Sequence, residues 1–192
     1  LKAKDFSFEL YGNISENRDE VLKLAQDAAG NDINLDNSYY TTRVGHPQAQ
    51  FYLRTWGGVD SADGYGMFYK DILDANGDPT GDREVTKEYS EADRYYLEKQ
   101  SIPDMIGGFN ANIQYKNFDF SLLMNFAVGG YVYDSSYASL MAGYKNIRQQ
   151  SPHLKDRWQQ PGDVTDVPIL LENNNDFNAT SSRFLFENDY LR

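Results

Sequence analysis

Two strand-length stretches of alternating polarity, joined by two residues, dominate the hydrophobic pattern of the chain. In 105–115, Phe109, Ala111, Ile113 and Tyr115 alternate with Asn110, Asn112 and Gln114. In 118–128, Phe118, Phe120, Leu122, Met124, Phe126 and Val128 alternate with Asp119, Ser121, Leu123, Asn125 and Ala127. Strand side chains point to opposite faces in turn, so each stretch has one apolar and one largely polar or small face. The joint, Lys116-Asn117, has the commonest hairpin loop length and sets Tyr115 opposite Phe118 on the apolar face. A third stretch, 5–15, alternates Phe6, Phe8, Leu10, Gly12 and Ile14 with Ser7, Glu9, Tyr11 and Asn13. Each is about 11 residues long, the length with which a tilted strand crosses a bilayer. The pattern alone fits an outer-membrane barrel, a soluble β-sandwich or a sugar-binding β domain.

The remaining chain reads as turns and short elements. Apolar spacing over Val21–Ala29, with Asn17 or Asp19 as cap, predicts a short helix stopped at Gly30. Ser90–Gln100 predicts a second, with Glu91, Asp93 and Arg94 exposed. Residues 30–47 read as irregular, 48–56 and 64–70 as strands, and 57–61 and 74–82 as turns. Turn signals recur at 161–163 and in the Asn run 173–175, before a last strand from Ser182 to Arg192. Short turns of such barrels face the periplasm and long loops the exterior. Wall strands are therefore expected at about 5–15, 105–115, 118–128 and 183–192, with extracellular loops at about 16–104 and 130–181. Because strand patterns run up to both termini, the chain is expected to be a fragment of one barrel domain.

Composition narrows the chemistry. The chain holds 15 Tyr and 11 Phe with a mean hydropathy of −0.68, as befits a barrel with large loops or a secreted carbohydrate binder. With no cysteine there is neither a disulfide nor a thiolate metal site. A net charge of −11 leaves no basic stripe for phosphates, so nucleic acid is excluded as a partner. No run of 18 apolar residues exists for a transmembrane helix, which says nothing about barrel strands.

Five segments carry a resemblance to one family. Val44-Gly45-His46-Pro47 leads to Phe51-Tyr52 and Trp56-Gly57-Gly58-Val59-Asp60. Ile102-Pro103 precedes Gly107-Gly108-Phe109 and the turn Tyr115-Lys116-Asn117-Phe118-Asp119-Phe120-Ser121. Arg157-Trp158-Gln159-Gln160-Pro161-Gly162-Asp163 runs on to Thr165-Asp166-Val167-Pro168, and Ser181-Ser182-Arg183-Phe184-Leu185 to Asp189-Tyr190-Leu191-Arg192. In this order, over nearly the whole chain, they resemble the C-terminal half of the barrel in SusC/RagA-like TonB-dependent outer-membrane transporters of Bacteroidetes. The resemblance implies an all-β fold, part of a large transmembrane antiparallel β-barrel with long extracellular loops. The whole barrel would have roughly 22 strands and be plugged by an N-terminal domain through which the TonB complex acts. It further implies a SusD-like lipoprotein as partner, an oligosaccharide or oligopeptide as cargo, no cofactor and no enzymatic activity. A secreted β-rich glycan-binding module is the alternative.

Site expectations follow. Phe109, Ile113, Tyr115, Phe118, Phe120, Leu122 and Phe126 are expected to face lipid, with Tyr115, Phe118 and Phe120 as the periplasmic aromatic girdle. Glu9, Asn110, Asn112, Gln114 and Asn125 are expected to line the lumen. Trp56, Trp158, Tyr131 and Tyr133 are candidate ligand contacts, as are Tyr137 and Tyr144, because flat rings stack on sugars. Asp74, Asn76 and Asp78 hint at a calcium loop, but Pro79 and Val85 stand where an EF-type loop needs Gly and Glu, so a solvated turn is expected and no metal site. The pairs Asp60/Asp63 and Asp163/Asp166, and the histidines His46 and His153, form no catalytic constellation.

Overall fold

The computed structural model describes residues 2–142, 149–171, 177 and 179–192. Tyr144 and the Asn run 173–175 lie outside the described residues. The chain forms β1 (Lys2–Ala3), β2 (Phe6–Glu16), β3 (Leu35–Asp36), β4 (Tyr40–Thr42), β5 (Gln50–Arg54), β6 (Trp56–Val59) and β7 (Gly66–Leu73). These are followed by β8 (Pro79–Thr86), β9 (Arg94–Gln100), β10 (Met105–Tyr115), β11 (Phe118–Val128) and β12 (Tyr131–Tyr133). A short helix α1 (Ser135–Leu140) precedes β13 (Leu185–Glu187) and β14 (Tyr190–Leu191).

The wall is one antiparallel sheet in the order β1-β2-β10-β11-β14. β10 pairs with β11 from Tyr115↔Phe118 to Met105↔Val128, and on its other edge with β2 from Tyr115↔Phe6 to Met105↔Glu16. The hairpin and the first strand are thus as the alternation predicts. Lys116 takes the positive φ (52°) that a two-residue hairpin turn demands. β2 and β10 end on the same rung, where Asn17 N donates to Asp104 O at 3.0 Å. Residues 17–104 therefore leave and re-enter the wall at one point, as a single excursion. A second excursion, 129–189, does the same: Gly129 N donates to Asp189 Oδ1 at 2.8 Å, and β14 pairs with β11 at Ala127↔Tyr190 and Phe126↔Leu191. Of the expected strand 183–192, Tyr190–Leu191 joins the wall, whereas Leu185–Glu187 pairs with β12 above it.

The buried core sits in the excursions. Phe51, Leu53, Phe68 and Thr41 are fully enclosed there in small sheets ordered β3-β4-β5-β9 and β6-β7-β8, and Phe184 and Ser181 are enclosed in the segment that leads into β13 of the β12-β13 pair. The two excursions interlock. Arg54 bridges Ser181 in parallel, Trp56 N donates to Ser182 Oγ at 3.0 Å, and Trp158 Nε1 donates to Ser61 O at 3.0 Å.

Several expectations fail here. Val21–Ala29 is not a helix: Asp27 Oδ1 accepts from Ala29 N and Asn31 N, making a local turn that competes with helical bonding. Val21 instead exchanges backbone bonds with Gly45 and His46, and the expected cap Asp19 accepts from Gln48 N at 2.7 Å. Ser90–Gln100 is a single 3-10 turn (Tyr89–Glu91) followed by β9. Tyr95 there donates to Asp71 Oδ1 at 2.9 Å while Tyr96 packs on His46, so adjacent aromatics serve opposite faces, which only a strand allows. Arg94, expected to be exposed, is half-buried against Tyr52. Residues 30–47 hold β3 and β4 around a turn in which Asn37 Oδ1 accepts from Tyr39 N and Tyr40 N. The expected turn 57–61 begins in strand β6, and the turn at 74–82 closes by Asp78, with Pro79 opening β8.

Candidate functional site

Register alone sorts the wall into two faces. Across β2, β10 and β11, one face carries Phe6, Phe8, Leu10, Gly12 and Ile14, then Phe109, Ala111, Ile113 and Tyr115, then Phe118, Phe120, Leu122, Met124 and Phe126. The other carries Ser7, Glu9, Tyr11 and Asn13, then Asn110, Asn112 and Gln114, then Asp119, Ser121, Leu123 and Asn125. All seven residues expected on the apolar side share the first face, and all five expected in the lumen share the second. On the polar face Ser121 Oγ donates to Asn112 Oδ1 at 2.9 Å between cross-strand partners. One rung breaks the polarity: Asn110 lies between Tyr11 and Leu123, and its Oδ1 is a buried atom with no partner among the described residues.

The dimensions suit a membrane. Strands of 11 residues span about 36 Å at about 3.3 Å per residue, and at a tilt near 45° they rise about 25 Å, the height of a barrel's apolar band. Among the described residues no helix is long and apolar enough to cross a membrane, which leaves barrel strands unaffected.

Above the wall, the candidate ligand aromatics divide. Trp158 is 8% exposed and lies against Gly64, whose φ of +78° and contact with the indole leave no room for a Cβ. It braces the seam between excursions and offers no open face. Trp56 is half-buried, edge-on to Phe68 at 5.2 Å, with the Arg183 guanidinium 4.9 Å from its ring. Burial pulls the Arg183 guanidinium pKa down to about 10. Tyr131 lies beneath Lys99 Nζ at 4.5 Å and meets Glu187 Oε1 at 3.3 Å. Tyr133 stacks on Tyr39 at 4.7 Å beside an open hollow of about 370 Å³, and burial raises its hydroxyl pKa to about 12. Tyr137 is tied to His153 Nδ1 at 2.9 Å.

The acidic pairs have structural duties. Lys87 Nζ sits 2.6 Å from both Asp60 Oδ2 and Asp63 Oδ2, and its hydrogen bond holds the Asp60 carboxyl below its ordinary pKa. Asp163 Oδ2 accepts from Gln159 N and Gln160 N. Asp74 accepts from Asn76 N and Asp78 N, as the solvated turn requires. No metal-binding cluster occurs among the described residues. Sequence reasoning missed the paired arginines Arg54 and Arg94, brought together only by the β5–β9 pairing.

An open antiparallel wall with one apolar face, surmounted by interlocked loops, is the architecture of a transporter-barrel segment. No protein-family model matches the chain. The chain is 26% identical over 206 residues to TonB-dependent receptor P3 of Formosa agariphila, covering 100% of this chain and 19% of the relative. It is 29% identical over 146 residues to TonB-dependent receptor SusC of Bacteroides thetaiotaomicron, covering 69% of this chain and 13% of the relative. Its fold matches the RagAB peptide transporter structure with a TM-score of 0.77 at 23% identity, over 100% of this chain and 20% of that one. The RagAB peptide importer in its 'open-open' state matches with a TM-score of 0.76 at 22% identity. The resemblance to SusC/RagA-like transporters thus holds in sequence and in fold. The chain spans about a fifth or less of the length of these relatives. Its fold is an all-β part of a transporter barrel, and TonB-dependent receptors place it in the bacterial outer membrane.

Proposed function

We propose that the chain is part of a TonB-dependent outer-membrane importer of oligosaccharides or oligopeptides that works with a SusD-like surface lipoprotein. The observation that carries this reading is the phase agreement of β2, β10 and β11, which yields one continuous apolar face and one polar face while both excursions leave from the same end. The apolar face meets lipid, the polar face lines the lumen, and Tyr115, Phe118 and Phe120 sit at the periplasmic interface. A lipid-exposed open sheet edge would strand backbone donors and acceptors in hydrocarbon, so further wall strands close the barrel. The excursions cap the cargo cavity and meet the lid, with Trp56, Tyr131 and Tyr133 as the aromatic surface nearest to cargo. TonB acts through the plug domain. The work is binding and gated passage without covalent chemistry.

The test is expression of the complete reading frame around this segment, followed by fractionation. Recovery from detergent-extracted outer membrane together with a lipoprotein supports the importer, and growth of a deletion strain on oligosaccharides against oligopeptides then separates the cargo classes. A full-length product that is soluble and folded without detergent sinks it and favours a secreted glycan-binding module.

A further inference from the structure

Arg54 ends β5, Arg94 opens β9, and the two are cross-strand partners. Like charges set directly opposite on antiparallel strands destabilise the pair. The chain has 29 acidic side chains against 18 basic ones, so carboxylate partners are plentiful. Yet among the described residues neither arginine forms an ion pair; those present engage Arg18, Lys70, Arg83 and Lys87.

Both guanidiniums are nevertheless held rigidly. Arg54 lies over the Tyr89 ring at 4.3 Å, and its Nε donates to Ala92 O at 2.9 Å. Arg94 lies over the Tyr52 ring at 4.3 Å, its Nε donating to Tyr52 O at 3.0 Å and its Nη2 to Asn37 O at 2.5 Å and Tyr52 O at 2.7 Å. These bonds leave Arg54 Nη2 and Arg94 Nη1 with no protein acceptor among the described residues. Both side chains line one hollow of about 220 Å³ with Ser38, Leu53, Tyr89 and Thr180. The Tyr89 hydroxyl accepts from Arg54 Nη1 at 3.4 Å and donates to Thr180 O at 2.9 Å, so the second excursion closes the hollow at the seam.

We propose that this hollow binds the carboxylate of a small acidic ligand. Each guanidinium keeps one terminal nitrogen to donate a charge-assisted bond to a carboxylate, and two groups already fixed by carbonyls and rings have little freedom left to lose on binding. The hollow is smaller than a drug-sized pocket and has room for one acidic sugar ring or one amino-acid residue. If the ligand is cargo, the site's purpose rests on the importer reading, but the binding itself does not.

The test is isothermal titration of the full-length protein in detergent with glucuronate and N-acetylalanine, each beside its neutral counterpart, glucose and N-acetylalanine amide. At least one acid should bind about tenfold or more tightly than its neutral counterpart, as charge-assisted bonds imply, and which acid does so separates a sugar acid from a peptide carboxylate. Arg54→Gln with Arg94→Gln should abolish the preference. Arg54→Lys keeps the charge but not the planar group fixed on Tyr89 and Ala92 O, and should lose several-fold. Arg43→Gln, a cation that also packs on Tyr52 but does not line the hollow, should leave the affinity unchanged. Equal binding of acid and neutral probes, no binding of either acid, or an equal loss in Arg43→Gln overturns the proposal. Uptake assayed separately distinguishes this from failure of the importer reading: acid binding by a protein that imports nothing removes import and keeps the site.

Discussion

In the wall, Phe118 is 78% exposed and Phe120 56%, whereas in the excursions Phe51 and Phe68 have no exposed surface at all. The same residue type therefore does opposite jobs a few strands apart. The wall keeps its apolar side chains exposed on one face, where on the importer reading lipid covers them. The excursions turn theirs inward and build a small water-type core with Arg–Tyr stacking around it. The wall is an exposed apolar surface held by backbone ladders; the loop body beside it has a core of its own.

The contrast is broken most forcefully by truncation in the loop core. Phe68→Ala should cost the loop body about 3–5 kcal/mol, read as earlier protease cleavage of the excursions with the wall still assembled. Phe118→Ala, although chemically identical, should leave excursion stability unchanged. An equal effect on the excursions from both would erase the distinction. Next comes charge on the wall: Phe109→Arg should cost about 2–4 kcal/mol in unfolding from lipid vesicles, against about 1 or less for its neighbour Asn110→Arg. Trp158→Phe keeps the packing over Gly64 but loses the bond to Ser61 O, and should cost about 1 kcal/mol in the thermal unfolding of the excursions.

The smallest effect is electrostatic. The Asp60 carboxyl is held below its ordinary 3.8 by the Lys87 hydrogen bond, so its contribution is present above pH 3.8 and is lost as pH falls below it. Lys87 is raised above 10.5 by the same carboxylates, so its share is present below pH 10.5 and is lost above it. Proteolytic nicking of the 60–65 turn should rise at both extremes, and Lys87→Ala should flatten the profile. Screening by solvent keeps this change slight.

The same contrast explains what the chain disclosed in advance. Wall strands see a different environment on each side, so period-two alternation survives and the register of 105–128 could be read down to Tyr115↔Phe118. Excursion strands are covered on both sides in places and interrupted by irregularities: β5 and β9 slip register between Gln50 and Tyr52, and Glu98 takes a φ of 54°. β9 therefore shows no clean alternation and reads as helix. The segment 21–29 has helical spacing, but the Asp27 turn and the pairing with 45–46 override it, leaving Leu22 exposed. That the lumen and lipid candidates fall on two opposite faces was legible because they are local alternations. The Arg54–Arg94 hollow was not, since nothing in sequence announces that positions 40 apart will face one another.

The most direct measurement of the two-faced wall is a nitroxide scan of single cysteines from 109 to 115 in the full-length protein in lipid vesicles; this chain contributes no cysteine of its own. The account predicts that collision with oxygen, which partitions into lipid, peaks at 109, 111, 113 and 115, while collision with a water-soluble nickel chelate peaks at 110, 112 and 114. Loss of that period-two alternation, or its appearance in the reverse phase, would contradict it.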